Sequence, residues 1–270
     1  MNLWIDTHCH LDAHEFGADS ILVAARAQEL GVARIVIPAV EQANFQVVAQ
    51  LAASAGNASY ALGIHPIFVP QAGEADLAAL RAAVEAALGD ARFVGIGEIG
   101  LDFFIPMLSE AAMREKQAHF FREQLRIARD FALPVLMHVR RSQDVVLKHV
   151  RQVRPAGGIA HAFNGSFQQA QAYIDLGFKL GFGGAMTFTR ALQIRRLATD
   201  LPLSAIVLET DAPDLSPSWL HPARNSPEQL PAIGAMLAGL RGIGVDEVAA
   251  ATTANARAAL PRMALQFAPE

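Results

Sequence analysis

Short apolar runs rich in β-branched residues alternate along the chain with longer segments whose charges recur at helical spacing. The runs at 3–6, 34–38, 60–64, 93–97, 134–138, 158–162, 179–183 and 206–209 predict strands. Several are almost wholly apolar, as expected of parallel strands covered on both faces. Alanine- and leucine-rich segments at 19–30, 74–88, 110–131, 168–176 and 190–199 predict helices between them, and 228–240 and 245–260 predict two more at the end. Eight strand-then-helix units suit a (β/α)8 TIM-type barrel better than an open doubly wound sheet. No Gly/Ser/Pro-rich linker divides the chain, so residues 1–270 are expected to form a single domain. The longest irregular stretch, 212–227, is proline-rich and follows the last strand, where barrels carry functional loops.

Composition narrows the class. Of 270 residues, 52% are hydrophobic and 18% charged, which suits a large buried core and excludes a disordered chain. A net charge of −4 disfavours extensive tracking along a nucleic-acid backbone, but not capture of one strand end. Cys9 is the single cysteine, which fits a reducing compartment. No signal peptide or membrane-length apolar window is visible, so a cytoplasmic location with no membrane partner is the expectation. No obligate protein partner is evident.

The chemistry begins in 5-IDTHCHLD-12. Strand side chains alternate faces, so His8 and His10 point one way and Cys9 the other. Alone, a His-x-His pair is a weak metal signal. Here Glu98, His138, His161 and Asp211 each fall at the C-terminal end of a different expected strand, the catalytic rim of such barrels. Four imidazoles and two carboxylates without a thiolate suit Mg, Mn or Zn. Six ligands exceed what one catalytic ion wants, because it must keep a position open; two ions bridged by Glu98 account for the count. Asp211 is expected to bind one ion and to orient or deprotonate the attacking water.

The neighbours are read with less support from the pattern. His65 ends the third run and is expected to touch substrate from the rim. Arg140 is suited to phosphate oxygens, whereas Arg141 reads as a solvated residue. Asp6 and Glu209 would sit one layer beneath ligands and bond to them or to backbone. Asp102 is expected to stabilise the loop after Glu98. Cys9, Phe120 and Phe121 read as packing residues, and His14, His119, His149 and His221 as solvated.

The segments IDTHCHLD, GIHP, GEIGLD, a strand ending in MH, HAFNGS, LETDAP and ARNSP, in this order across residues 5–227, resemble the successive motifs of the TatD family. The segments MHVRRS and GGAMTFTRA look closest to its YjjV-like branch. The resemblance implies a TIM-type barrel with two divalent metal ions. It assigns His8, His10, Glu98 and Asp211 to one ion, and Glu98, His138 and His161 to the other. It also brings Arg224 and Asn225 near the substrate. Family members include deoxyribonucleases that trim single-stranded DNA from the 3′ end, and deacylases of D-aminoacyl-tRNA. Phe103 and Phe104 stand where the family often has tyrosine, and Asn164 where serine is frequent; both changes bear on substrate contacts rather than on the ligands. The expected function is hydrolysis of DNA phosphodiester bonds by two-metal activation of water, with a single-stranded DNA end or another phosphoester as partner. The alternatives are a small-molecule amide, ester or phosphoester hydrolase, aminoacyl-ester hydrolysis on tRNA, and a noncatalytic metal-dependent nucleic-acid binder.

Overall fold

The computed structural model describes residues 2–264. Eight strands form one parallel sheet in sequential order: β1 (Trp4–Asp6), β2 (Val32–Pro38), β3 (Ala58–Leu62), β4 (Phe93–Asp102), β5 (Val135–Arg140), β6 (Gly158–Ala160), β7 (Phe178–Phe182) and β8 (Ile206–Leu208). Around them run α1 (Ser20–Glu29), α2 (Phe45–Ser54), α3 (Glu74–Ala87), α4 (Ala111–Asp130), α5 (Gln143–Val153), α6 (Phe167–Asp175), α7 (Leu192–Asp200), α8 (Leu230–Arg241), α9 (Val245–Ala259) and the short α10 (Pro261–Ala264). This is the TIM-type barrel the alternating pattern predicts. Among the described residues no helix is long and apolar enough to cross a membrane.

Two apolar layers follow from the strand period of two. Ile5, Val36, Ala61, Leu136, Ile159 and Val207 cluster with Leu260 and Met263, so the C-terminal segment plugs one end of the barrel. Their chain neighbours, including Trp4, Ile35, Ile37, Tyr60 and Met137, belong instead to the layer under the helices. With one end plugged, the opposite end is left for chemistry.

The ring closes between β8 and β1 with little regular ladder. Thr7 N–H donates to the Leu208 carbonyl at 3.1 Å and Asp211 N–H to the His8 carbonyl at 2.8 Å. The fully buried Asp6 side chain supplies further rungs: Oδ1 accepts from Thr210 N at 2.9 Å and His8 N at 3.3 Å, and Oδ2 from Thr210 Oγ1 at 2.6 Å. Burial pushes this carboxyl up to about 8, against the hydrogen bonds that favour its anion. Strand β1 ends at Asp6, so the alternation that places Ile5 in the barrel interior is reset before His8.

The expected strand ends need one correction. The apolar run ends at Gly97, but β4 continues to Asp102, so Glu98 lies inside the strand rather than after it. Gly100 permits this: at φ +155° a Cβ there would stand 1.9 Å from the His138 carbonyl oxygen. Contrary to expectation, His149 is buried, at 5% exposure. It shares the apolar stripe of α5 with Val146, Val150 and Val153 and meets the Phe121 ring edge-on. Cys9, Phe120 and Phe121 are core residues, as read, and His14 is exposed.

Removing the Asp6 carboxyl leaves two amides and a hydroxyl unpaired in the seam. Asp6→Ala is expected to cost about 3–5 kcal/mol, because each stranded buried group costs roughly 1–3 kcal/mol. Asp6→Asn keeps the acceptor for both amides and should cost under about 2 kcal/mol. Urea denaturation measures both; equal losses would contradict this role.

Candidate metal centre

Glu98 enters the cavity from β4 and is 2% exposed. Its Oε2 faces His8 Nε2 at 3.2 Å and His10 Nε2 at 3.4 Å. Its Oε1 faces His138 Nδ1 at 2.9 Å, His161 Nε2 at 3.2 Å and His65 Nε2 at 3.5 Å. Asp211 adds Oδ1 at 3.6 Å from His8 Nε2 and 3.8 Å from His10 Nε2. The six residues expected as ligands therefore converge, and His65 joins them closely enough to act as a donor itself. Three donor groups form around this point: His8, His10 and Asp211; His8, Glu98 and His161; and His65, Glu98 and His138.

The fit to divalent cations rests on this geometry. His8 Nε2 and His10 Nε2 stand only 3.3 Å apart with two carboxylates beside them. Ligands about 2.1 Å from one ion stand roughly 3–3.4 Å from each other. Four imidazoles and two carboxylates, all hard or borderline donors, are the chemistry such ions take.

Local backbone and neighbouring carboxylates hold these side chains. Asp211 has φ +55° and Ala162, after His161, has φ +45°. Non-glycine residues in this left-handed region cost of order 1–3 kcal/mol and persist where surrounding structure fixes them. Glu209 Oε1 accepts from Ala162 N at 2.5 Å and lies 3.4 Å from His161 Nδ1. Gly181 makes room for it, since a Cβ there would meet Glu209 Oε2 at 2.1 Å. Asp102 Oδ2 faces His138 Nε2 at 3.2 Å, while its Oδ1 accepts from Phe104 N and Ile105 N. Asp102 thus does both tasks: it ties the loop after β4 and fixes the ring of His138.

The site holds its protons unevenly. Burial, with the stacked His161 ring 3.8 Å away, pushes His8 down to about 3. Burial likewise lowers His65 to about 4. Against the same desolvation, Glu98 and Asp211 hold His10 up at about 9. Burial lifts Asp211 to about 6 despite His161 and His10. Glu98 stays well below the usual carboxylate range, because the imidazoles outweigh its desolvation.

The centre lies in a cavity of about 980 Å³. Among its lining residues are the acidic Asp12, Glu15 and Asp214, the basic Arg140 and Arg141, and the apolar Ile67, Phe104 and Leu215. Two expected substrate residues are placed differently. Asn225 is fully buried, and its Nδ2 donates to the carbonyls of Thr210 and Asp214, so it braces the last loop from beneath. Arg224 is not part of the cavity lining: it donates to the Glu15 carbonyl and lies over the Phe16 ring at 4.6 Å. Arg141, read as merely solvated, does line the cavity.

The sequence profile of a family described as TatD related DNase matches residues 5–261. The chain belongs to the TatD family. The uncharacterized metal-dependent hydrolase YjjV of Escherichia coli is 38% identical over 253 residues, covering 93% of this chain and 95% of that protein. The crystal structure of that TatD homologue matches with a TM-score of 0.88 at 36% identity, covering 96% of this chain and 98% of the other. The 3′-5′ ssDNA/RNA exonuclease TatD of Erwinia amylovora is 31% identical over 261 residues, covering 94% and 98% of the two chains. The chain is accordingly a TatD-like metal-dependent hydrolase, and its buried His, Glu and Asp groups are able to bind metal.

A cation bound only by the folded centre must stabilise the fold. Adding Mn2+ or Zn2+ to chelator-treated protein at about 100 times Kd is expected to contribute about 2.7 kcal/mol, raising Tm by roughly 5–10 °C in calorimetry. Glu98→Gln removes the charge that both sides of the site share, and should lose more than half of that rise. A Tm indifferent to metal in the native chain would contradict the assignment.

Proposed function

We propose that this TatD-like hydrolase is a deoxyribonuclease that trims single-stranded DNA from the 3′ end, using two divalent ions. The observation that carries the reading is the set of three overlapping donor groups around Glu98, on the floor of a cavity whose wall presents Arg140. His8, His10 and Asp211, with Glu98 Oε2, would hold one ion. Glu98 Oε1, His138 and His161, with His65 beside them, would hold the other. Bound divalent ions supply positive charge for a phosphorane-like transition state and lower the pKa of water beside them.

The chain's own groups supply the rest. Asp211, whose Oδ1 lies beside His8 and His10, would orient the attacking water and take its proton. Arg140, half exposed on the cavity wall, offers a planar pair of donors to the phosphate backbone of the strand. Asp102 and Glu209 keep the rings of His138 and His161 aimed inward. The name of the Erwinia amylovora relative, an exonuclease on single-stranded DNA and RNA, supports polymer over small ester as substrate.

The test is to strip metal, add back Mg2+, Mn2+ or Zn2+, and assay end-labelled single-stranded DNA, RNA and charged tRNA. The native chain should release 3′-terminal nucleotides, and Asp211→Asn should lower kcat by about 10²–10⁴ while retaining most bound metal. Release of amino acid from charged tRNA without nucleotide release, or cleavage of small esters or amides alone, would overturn the nuclease reading. Full activity in Asp211→Asn would remove Asp211 from the proton transfer.

A further inference from the structure

Two guanidiniums at the cavity wall share one aromatic ring. Arg140 Cζ stands 3.9 Å from the centroid of Phe104, and Arg141 Cζ stands 4.6 Å from it. All three residues line the cavity, and Phe104 is 43% exposed. Placing two like charges on one ring is unfavourable unless something negative joins them.

A protein carboxylate supplies that charge to Arg140 alone. Arg140 Nη1 approaches Asp102 Oδ2 only to 3.9 Å, and that oxygen already faces His138. Among the described residues no carboxylate lies within 4 Å of the Arg141 guanidinium. The pair is basic in a chain whose net charge is −4, so it is a local feature and not part of a general basic surface.

The backbone is committed to this arrangement. Arg141 sits directly after β5 with φ +56°, an unfavourable conformation for a residue with a long side chain. Ser142, buried beside it, donates to the Leu101 carbonyl at 2.7 Å and pins the turn to β4. Stacking on Phe104 restricts both guanidiniums before any ligand arrives, so less conformational entropy is lost when they bind an anion.

Arg140 reaches toward the donor groups through Asp102, whereas Arg141 meets the same ring without such a link. We propose, resting on the exonuclease reading above, that Phe104, Arg140 and Arg141 form a receptor for a second substrate phosphate, the one immediately 5′ to the scissile phosphodiester. Phe104 is a positioning residue in this scheme, and the two arginines make the contact. The enzyme then prefers strands carrying at least two phosphates over single phosphodiesters, and reads backbone charge without reading base identity.

The experiment compares a DNA trinucleotide with its analogue in which the phosphate 5′ to the scissile one is a neutral methylphosphonate. Release of the 3′ nucleotide is followed with Mg2+ or Mn2+ present. The native chain should lose at least about tenfold in kcat/KM on that replacement, as for a lost hydrogen bond to a charged group. Arg141→Gln should start about tenfold lower on the charged strand and lose under about twofold more on the analogue. Phe104→Leu keeps both charges but removes their support, and should show an intermediate penalty. Arg129→Ala, which removes a charge at the end of α4, should match the native chain. Equal penalties in the native chain and Arg141→Gln would overturn the receptor while leaving the exonuclease reading intact. No nucleotide release from either strand by the native chain would overturn both.

Discussion

A carboxylate withdrawn from water must be surrounded by something that stabilises its charge, and in this protein that requirement falls on Glu98. Five imidazole nitrogens lie within 3.5 Å of its two oxygens. Water cannot share the task, since the residue is 2% exposed. Neutral imidazoles around one anion leave lone pairs facing each other, as the 3.3 Å approach of His8 and His10 shows. Only protons or cations relieve that arrangement, and desolvation drives protons off His8 and His65. The other imidazoles, His10, His138 and His161, favour protons beside the ionised Glu98, and divalent cations would take the place of those protons.

Gathering side chains from β1, β4, β5, β6 and β8 at one point demands that the ring be closed, and the closure is made by the same residues. The seam between β8 and β1 depends on Asp6, Thr7, His8, Thr210 and Asp211 rather than on a long ladder. Stability and chemistry are therefore coupled there. Asp6 holds Thr210 and His8 by their backbones, which sets the separation of His8 from Asp211. A change in the seam that costs stability should also move the metal ligands, whereas changes in the plugged end of the barrel should not.

Much of this was legible in the sequence, for reasons that also explain the failures. Strand–helix alternation survives any local irregularity, so eight units could be read from apolar runs. The placement of candidate ligands was legible where one follows an apolar run, as Glu98 follows FVGIG and His138 ends PVLMH. What periodicity cannot carry is a residue whose direction is set by a turn. Arg141 follows a strand and looked solvated, but its left-handed backbone swings it onto Phe104. Asn225 stood in a suggestive motif, yet the loop folds over it and uses its amide for two carbonyls. Asp102 was obscured because β4 outruns its apolar residues by five positions. His149 is different: the stripe of Val146, Val150 and Val153 was present in the sequence, and a helical reading of that segment would have buried it.

The floor and the mouth of the cavity answer to different physics, which is why the first can be specified more fully than the second. Metal donors must meet within a few tenths of an ångström, so few residue types and few backbone positions satisfy them. A substrate binds through the surplus of many weaker contacts over their ordering cost, and many mouths serve one floor. Here the mouth is divided between acidic residues at Asp12, Glu15 and Asp214 and the stacked arginines, with apolar side chains at Ile67, Phe104 and Leu215. An anionic group would be repelled by the first set and held by the second, so the mouth discriminates by charge where the floor discriminates by donor geometry.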